Sequence, residues 1–189
     1  MRLAAARRLV AALLLVAPPA TAEPVYATRQ MVATANPHAT EAALAMLRAG
    51  GSAVDAAVAA QAALSVAEPH ASGVFGGAIL LVWDEAAGAL RGYDGLASAP
   101  AASADRLTAD GVGPASAARS GRAVAVPGTM AALALAHRRH GRLPWAQLFG
   151  PAVTLAEAGL PMPAYLHQVL RARRVELRRI PEIRLLYFD

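Results

Sequence analysis

Cysteine is absent from the 189 residues of this chain. Disulfides, thiol catalysis and cysteine-based metal sites are excluded with it. A chain without cysteine is at ease in an oxidising compartment. Lysine is absent too, so all 18 basic residues are Arg. Aromatic residues make up only 5% of the chain. Long apolar runs are also lacking after residue 23: the stretch from Ala53 to Ala67 is too short to span a bilayer and carries Asp55 and Gln61.

What is abundant is alanine. Hydrophobic residues reach 56%, and so many are Ala that close-packed helices are expected more than greasy ones. The length suits one domain with a real core. The formal charge of +5 belongs to the ends of the chain. Arg2, Arg7 and Arg8 lie at the start, and the last nineteen residues hold six Arg against Glu176, Glu182 and Asp189. Between Glu23 and Leu170 nine Arg face ten acids, a net of −1. The run Arg171, Arg173, Arg174, Arg178 and Arg179 has no interleaved aromatics for base stacking, so it reads as a solvated helix face and no nucleic-acid partner is expected.

The first 22 residues read as a signal peptide. Arg2, Arg7 and Arg8 form a positive n-region, and Leu9 to Val16 an apolar h-region. Pro18 and Pro19 break it, and Ala20-Thr21-Ala22 is a small-x-small cleavage site before Glu23. The apolar run is shorter than the roughly 20 residues of a membrane span. The mature protein, residues 23–189, is therefore expected in the periplasm or outside the cell.

Along the mature chain, Gln30 to Ala35 is a short strand candidate. Asn36 is a good helix N-cap and Pro37 a good first helical residue. Ala39, Ala42, Ala43, Met46 and Leu47 recur at helical spacing until Gly50-Gly51. Ser52 and Asp55 form an acidic capping box for a second helix of small residues, ended by Glu68-Pro69. Ala78 to Asp84 is a continuous apolar strand that predicts burial on both faces. Glu85 to Gly88 turns it back into Ala89 to Asp94. Pro100 to Arg119 reads as a surface excursion and Arg122 to Val126 as short and β-like. Helices are expected from Thr129 to Gly141, from Pro144 with an interruption at Gly150-Pro151 as far as Gly159, and from about Tyr165 to about Arg179.

Several constellations invite chemistry. Ser72-Gly73-Val74-Phe75-Gly76-Gly77 could hold an anion through backbone N–H groups, or be a tight turn. It has no Gly-Lys-Ser/Thr ending, and it precedes a strand where a dinucleotide fingerprint would follow one. His70 and Ser72 lack the geometry of a base and nucleophile, and no G-x-S-x-G elbow exists. His137 and His140 lack a third metal ligand and suit a helix C-terminus. On residue types alone the chain is an exported, Ala-rich α/β domain, with its chemistry unidentified.

A series of motifs in order supplies more. Met31-Val32-Ala33-Thr34 leads into Asn36-Pro37-His38-Ala39-Thr40-Glu41-Ala42. The Gly50 to Ala59 run, Glu68-Pro69-His70 before Ser72-Gly73, and Gly76-Gly77 follow. Then come Ala125-Val126-Pro127-Gly128-Thr129, His137, Gly141-x-Leu143-Pro144-Trp145, Pro151-Ala152, and Leu155-Ala156-Glu157-x-Gly159. Over roughly residues 31 to 165 this resembles the N-terminal part of the large subunit of the γ-glutamyltranspeptidase (γ-glutamyltransferase, glutathione hydrolase) family.

The resemblance implies part of an N-terminal-nucleophile hydrolase fold, two β-sheets between helix layers, incomplete in this chain. It implies a precursor that cuts itself, freeing a threonine that attacks a γ-glutamyl amide such as glutathione and forms an acyl-enzyme. No cofactor or metal is implied. The nucleophilic threonine is expected beyond Asp189, because Thr108, Thr129 and Thr154 are not in matching contexts, so no residue here is assigned as catalytic. The implied partners are an acyl amide substrate and the remainder of the precursor, including its small subunit. One departure bears on substrate: where the family reads D-x-R-E-x-A-P, this chain has Asp94-Gly95-Leu96-Ala97-Ser98-Ala99-Pro100. Leu96 takes the place of the arginine that holds the substrate α-carboxylate, and Arg91 does not match the motif position. Two alternatives stay open: a diverged acylase or amidohydrolase of the same fold, with Leu96 lining an apolar acyl pocket, and a truncated, non-catalytic exported protein.

Overall fold

The computed structural model describes residues 24–101, 107, 109–117 and 120–189. The expected signal peptide, Thr108 and part of the expected excursion from Pro100 to Arg119 lie outside the described residues. The chain divides into two units, Met1–Gln30 and Met31–Asp189. In the first, residues 24–30 are exposed and form no helix or strand.

In the second unit the Asn36 side chain accepts a hydrogen bond from the His38 N–H at 3.0 Å and starts helix α1, Pro37–Arg48. Gly50 takes a φ of 86°, which an L side chain resists. Gly51 N–H then donates to Met46 O at 2.9 Å and closes the helix. Helix α2, Ala53–Ala67, opens on the full capping box: Ser52 Oγ accepts from Asp55 N–H and Asp55 Oδ2 accepts from Ser52 N–H. The two helices meet almost entirely through alanine. Ala39 and Ala42 pack on Ala63, and Ala43 packs on Ala56 and Ala60. Each methyl removes little area from water, about 0.8 kcal/mol per carbon. The gain lies in letting the two backbones approach closely.

Strands β1, Ala78–Asp84, and β2, Ala89–Gly95, form an antiparallel hairpin with Leu81 opposite Gly92. Leu80, Val82 and Tyr93 face inward and pack with Val54 of α2 and with Ala132 and Ala136 of helix α3, Thr129–His140. The main core joins Met46, Val58, Ala59 and Leu133 to Leu148, which lies in the 3-10 turn Trp145–Phe149. Helices α4, Gly150–Ala158, and α5, Ala164–Ala172, follow. A helical turn, Arg174–Leu177, and helix α6, Pro181–Tyr187, complete the chain.

The structure corrects five expectations. Gln30 to Ala35 forms no strand, since no neighbouring strand pairs with it among the described residues. β1 is not buried on both faces: Ile79, Leu81 and Trp83 remain 63%, 64% and 59% exposed, because helices cover only one side of the hairpin. Only Val126 of the β-like stretch pairs, in a bridge with Ser98, while Gly121–Ala123 is a 3-10 turn. The helix expected at Pro144 begins as a 3-10 turn and becomes α-helical at Gly150. The last expected helix breaks at Arg173, whose φ of −107° and ψ of 16° leave helical geometry, and α6 starts afresh on Pro181 at its first turn. Among the described residues no helix is long and apolar enough to cross a membrane.

Candidate functional site

Three backbone segments converge at the end of the hairpin: Gly76-Gly77 before β1, Gly95-Leu96-Ala97 at the end of β2, and Gly128-Thr129 at the start of α3. Gly76 O accepts hydrogen bonds from Gly128 N–H at 3.1 Å and Thr129 N–H at 3.2 Å. Asp94 Oδ1 accepts from Leu96 N–H at 2.9 Å, which folds the chain sharply after β2. Two steps further, Ser98 and Val126 exchange backbone hydrogen bonds of 3.1 and 2.8 Å. Leu96 is thus held on a strap fastened at both ends, and the residue is 59% exposed. Thr129 is buried, and its hydroxyl has no hydrogen-bond partner among the described residues.

The Gly loop lies beside this strap. Three of its six amides are already committed: Ser72 N–H donates to Glu68 O, Val74 N–H to Ser65 Oγ, and Gly76 N–H to Gly73 O. That favours the tight-turn reading over an anion-binding one. Gln61, Ser65, His70 and the loop backbone line an open cavity of about 620 Å³. His70 and Ser72 do not act on each other. Ser72 Oγ accepts from Gln61 Nε2 at 3.0 Å. His70 Nε2 lies 3.3 Å from Glu68 Oε2, with its ring against Tyr165. Glu68 Oε1 in turn accepts from Asn36 Nδ2 at 3.0 Å, tying the turn after α2 to the cap of α1.

Asp55 is the electrostatic anchor of this framework. Its carboxylate is fully buried. Burial acts to raise its pKa, but the backbone N–H groups of Ser52, Arg142 and Leu143 outweigh that and hold it below the ordinary value. His137 Nε2 sits 2.9 Å from Leu143 O and 3.3 Å from Asp55 Oδ1. His140 is engaged elsewhere, its Nε2 2.7 Å from Tyr93 Oη. The two histidines at the end of α3 therefore fasten different elements, His137 the loop that follows α3 and His140 strand β2. Among the described residues no group of three His, Cys, Asp or Glu side chains is placed to hold a metal ion.

Of the basic run, Arg173 pairs with Glu176, and Arg178 lies over the Phe188 ring. Arg91 stands on β2 opposite Val82, apart from the strap in sequence. Reasoning from the sequence missed the contact of Gly95 with Gly128 and the bonds from Arg142 and Leu143 to Asp55. The only available signal was the Gly in each motif, which says that space is needed but not against what.

These elements, helices on one face of a hairpin that ends in a glycine-bounded strap, form a partial α/β layer. The family model for gamma-glutamyltranspeptidase matches residues 39–189, and the chain belongs to that family. It is 37% identical over 153 residues to the glutathione hydrolase proenzyme of Bacillus subtilis, covering 79% of this chain and 26% of that protein. It is also 37% identical over 168 residues to the acylase ACY 1 proenzyme of Pseudomonas sp. (strain V22), covering 84% of this chain and 30% of that protein. Among solved structures, Helicobacter pylori gamma-glutamyltranspeptidase superposes with a TM-score of 0.79 at 27% identity, covering 88% of this chain and 48% of that one. The chain spans between a quarter and a third of the length of these two curated relatives.

Proposed function

We propose that this chain is the N-terminal portion of the large subunit of an exported precursor that cleaves amides by acyl transfer, with γ-glutamyl amides such as glutathione as donors. In this reading the nucleophile is a threonine freed by self-cleavage outside residues 1–189. Its own amine serves as the base, and water or an acceptor amine resolves the acyl-enzyme. The chain supplies the donor-facing strap at Leu96 and the framework that holds it. The supporting observation is the family match running from residue 39 to 189, which spans the Gly loop, the strap and the start of α3. No cofactor enters the reaction as proposed. The exposed face of Ile79, Leu81, Trp83 and Leu90 is the surface that the remainder of the precursor covers.

One observation favours a second reading, an acylase of the same fold. A carboxylate clamp needs a planar, permanently charged fork. Leu96 offers neither charge nor donor, and its exposed side chain suits an apolar acyl group. The test is to express the precursor containing this chain and supply a γ-glutamyl anilide and an uncharged acyl anilide. Both readings require a covalent acyl adduct on a threonine. The first expects the γ-glutamyl donor to be preferred, and the second expects the uncharged one. Absence of any adduct with active-site-directed acyl donors would leave the non-catalytic alternative standing.

A further inference from the structure

We infer that Gly77, Gly95 and Gly128 form a three-way clamp that fixes the position of Leu96, and that they are positioning residues for donor selection. The inference rests on the reading of Leu96 as donor-facing. None of the three glycines has a positive φ, so backbone conformation does not demand glycine at any of them. Space does. A Cβ on Gly77 would lie 2.7 Å from Ala97 N and 3.1 Å from Leu96 Cα. A Cβ on Gly128 would lie 2.5 Å from Gly95 O and 2.8 Å from Leu96 O. A Cβ on Gly95 would lie 2.6 Å from Ala132 Cβ and 2.7 Å from Gly128 O. These neighbours are mostly backbone atoms, which cannot swing aside as a flexible side chain would.

The clamp therefore grips the strap from two sides. Gly77 presses on the Leu96–Ala97 peptide, and Gly128 presses on the carbonyls of Gly95 and Leu96. The Asp94 carboxylate and the Ser98–Val126 bridge hold the two ends of the same short segment. No freedom is left for the Leu96 backbone to slide without moving β1 or α3. The reach of residue 96 toward a bound acyl group is set by the clamp, and its chemistry by the side chain. A displacement of about 1 Å at such a position can cost on the order of 100-fold in rate.

The test uses the precursor containing this chain and measures kcat and KM for the γ-glutamyl and uncharged acyl anilides. Four variants are compared: Gly128→Ala, Asp94→Ala, Leu96→Arg and, as a control, Gly150→Ala. A Cβ on Gly150 meets nothing within 4 Å, and that residue is already helical. The clamp predicts that Gly128→Ala lowers kcat/KM for the preferred donor about 10- to 100-fold and for the other donor much less, so that selectivity collapses. Asp94→Ala, which adds no volume, should shift selectivity the same way by a smaller factor, largely through KM. Gly150→Ala should leave both donors unchanged. If Leu96→Arg moves selectivity while Gly128→Ala and Asp94→Ala scale both donors equally, the clamp is only structural and the inference fails, although Leu96 still faces the donor. If Leu96→Arg leaves selectivity unmoved, the donor-facing reading fails and takes the clamp with it. Should Gly128→Ala not fold, Asp94→Ala decides alone.

Discussion

The Asp55 carboxylate accepts a 2.9 Å hydrogen bond from the backbone N–H of Arg142, 87 positions away, and so locks the first turn of α2 to the loop that follows α3. The same oxygen accepts from Ser52 N–H at 2.7 Å and Leu143 N–H at 3.3 Å. One buried charge therefore caps a helix and fastens a long-range loop.

This arrangement predicts a pH dependence. The folded pKa of Asp55 lies below the ordinary carboxylate value of 3.8. Its contribution to stability is thus present above about 3.8 and lost as pH falls through the lower, folded value. Asp55→Asn puts an amide against backbone N–H donors and should cost on the order of 2 kcal/mol or more near neutral pH. Urea midpoints of the precursor between pH 3 and 6 check this. The variant should lose part of the acid limb seen in the parent, and superimposable pH profiles would refute the assignment.

Thr129 carries the opposite expectation. Its hydroxyl is buried without a partner among the described residues, and an unmet hydroxyl costs about 1–3 kcal/mol. Thr129→Val should leave stability unchanged or raise Tm. A clear fall in Tm would show that the hydroxyl bonds a group outside the described residues.

How much of this was legible in the sequence varies with the range of the interaction. α2 was legible because its signals are local: Ser52 and Asp55 at one end, Glu68-Pro69 at the other, and small residues between. The hairpin was legible for the same reason. The open face of β1 was not, because Ile79, Leu81 and Trp83 read alike whether a helix, a second sheet or water lies against them. At the site, the departure at Leu96 could be read directly against the family motif. The pressing of Gly128 on Gly95 could not, because nothing in either local pattern encodes which backbone approaches which. The same holds for Asp55, whose capping box predicts Ser52 as partner but is silent on Arg142.

Export makes a third prediction. The n-region, h-region and Ala20-Thr21-Ala22 call for cleavage after Ala22. N-terminal sequencing of the protein recovered from periplasm or medium should start at Glu23. A mature product that keeps Met1 would remove the signal-peptide reading.

The 189 residues alone should show no turnover of a γ-glutamyl anilide, because among the described residues no Ser or Thr hydroxyl is hydrogen-bonded to a histidine base. The open apolar face of β1 should also make the isolated chain prone to self-association. Purified chain free of host enzyme, assayed and sized by light scattering, tests both points. Turnover at a rate that scales with the purified chain would overturn the acyl-transfer account.

The central claim is that position 96 selects the donor, and one measurement addresses it directly: kcat/KM of the precursor and its Leu96→Arg variant for a γ-glutamyl anilide relative to an uncharged acyl anilide. A guanidinium placed at this position should add hydrogen bonds to a charged carboxylate worth about 1.5–3 kcal/mol each. The account predicts a rise in selectivity for the γ-glutamyl donor on the order of 10- to 100-fold. A parent enzyme that already favours γ-glutamyl donors, with a ratio unchanged by Leu96→Arg, would show that the carboxylate is held elsewhere and contradict the claim.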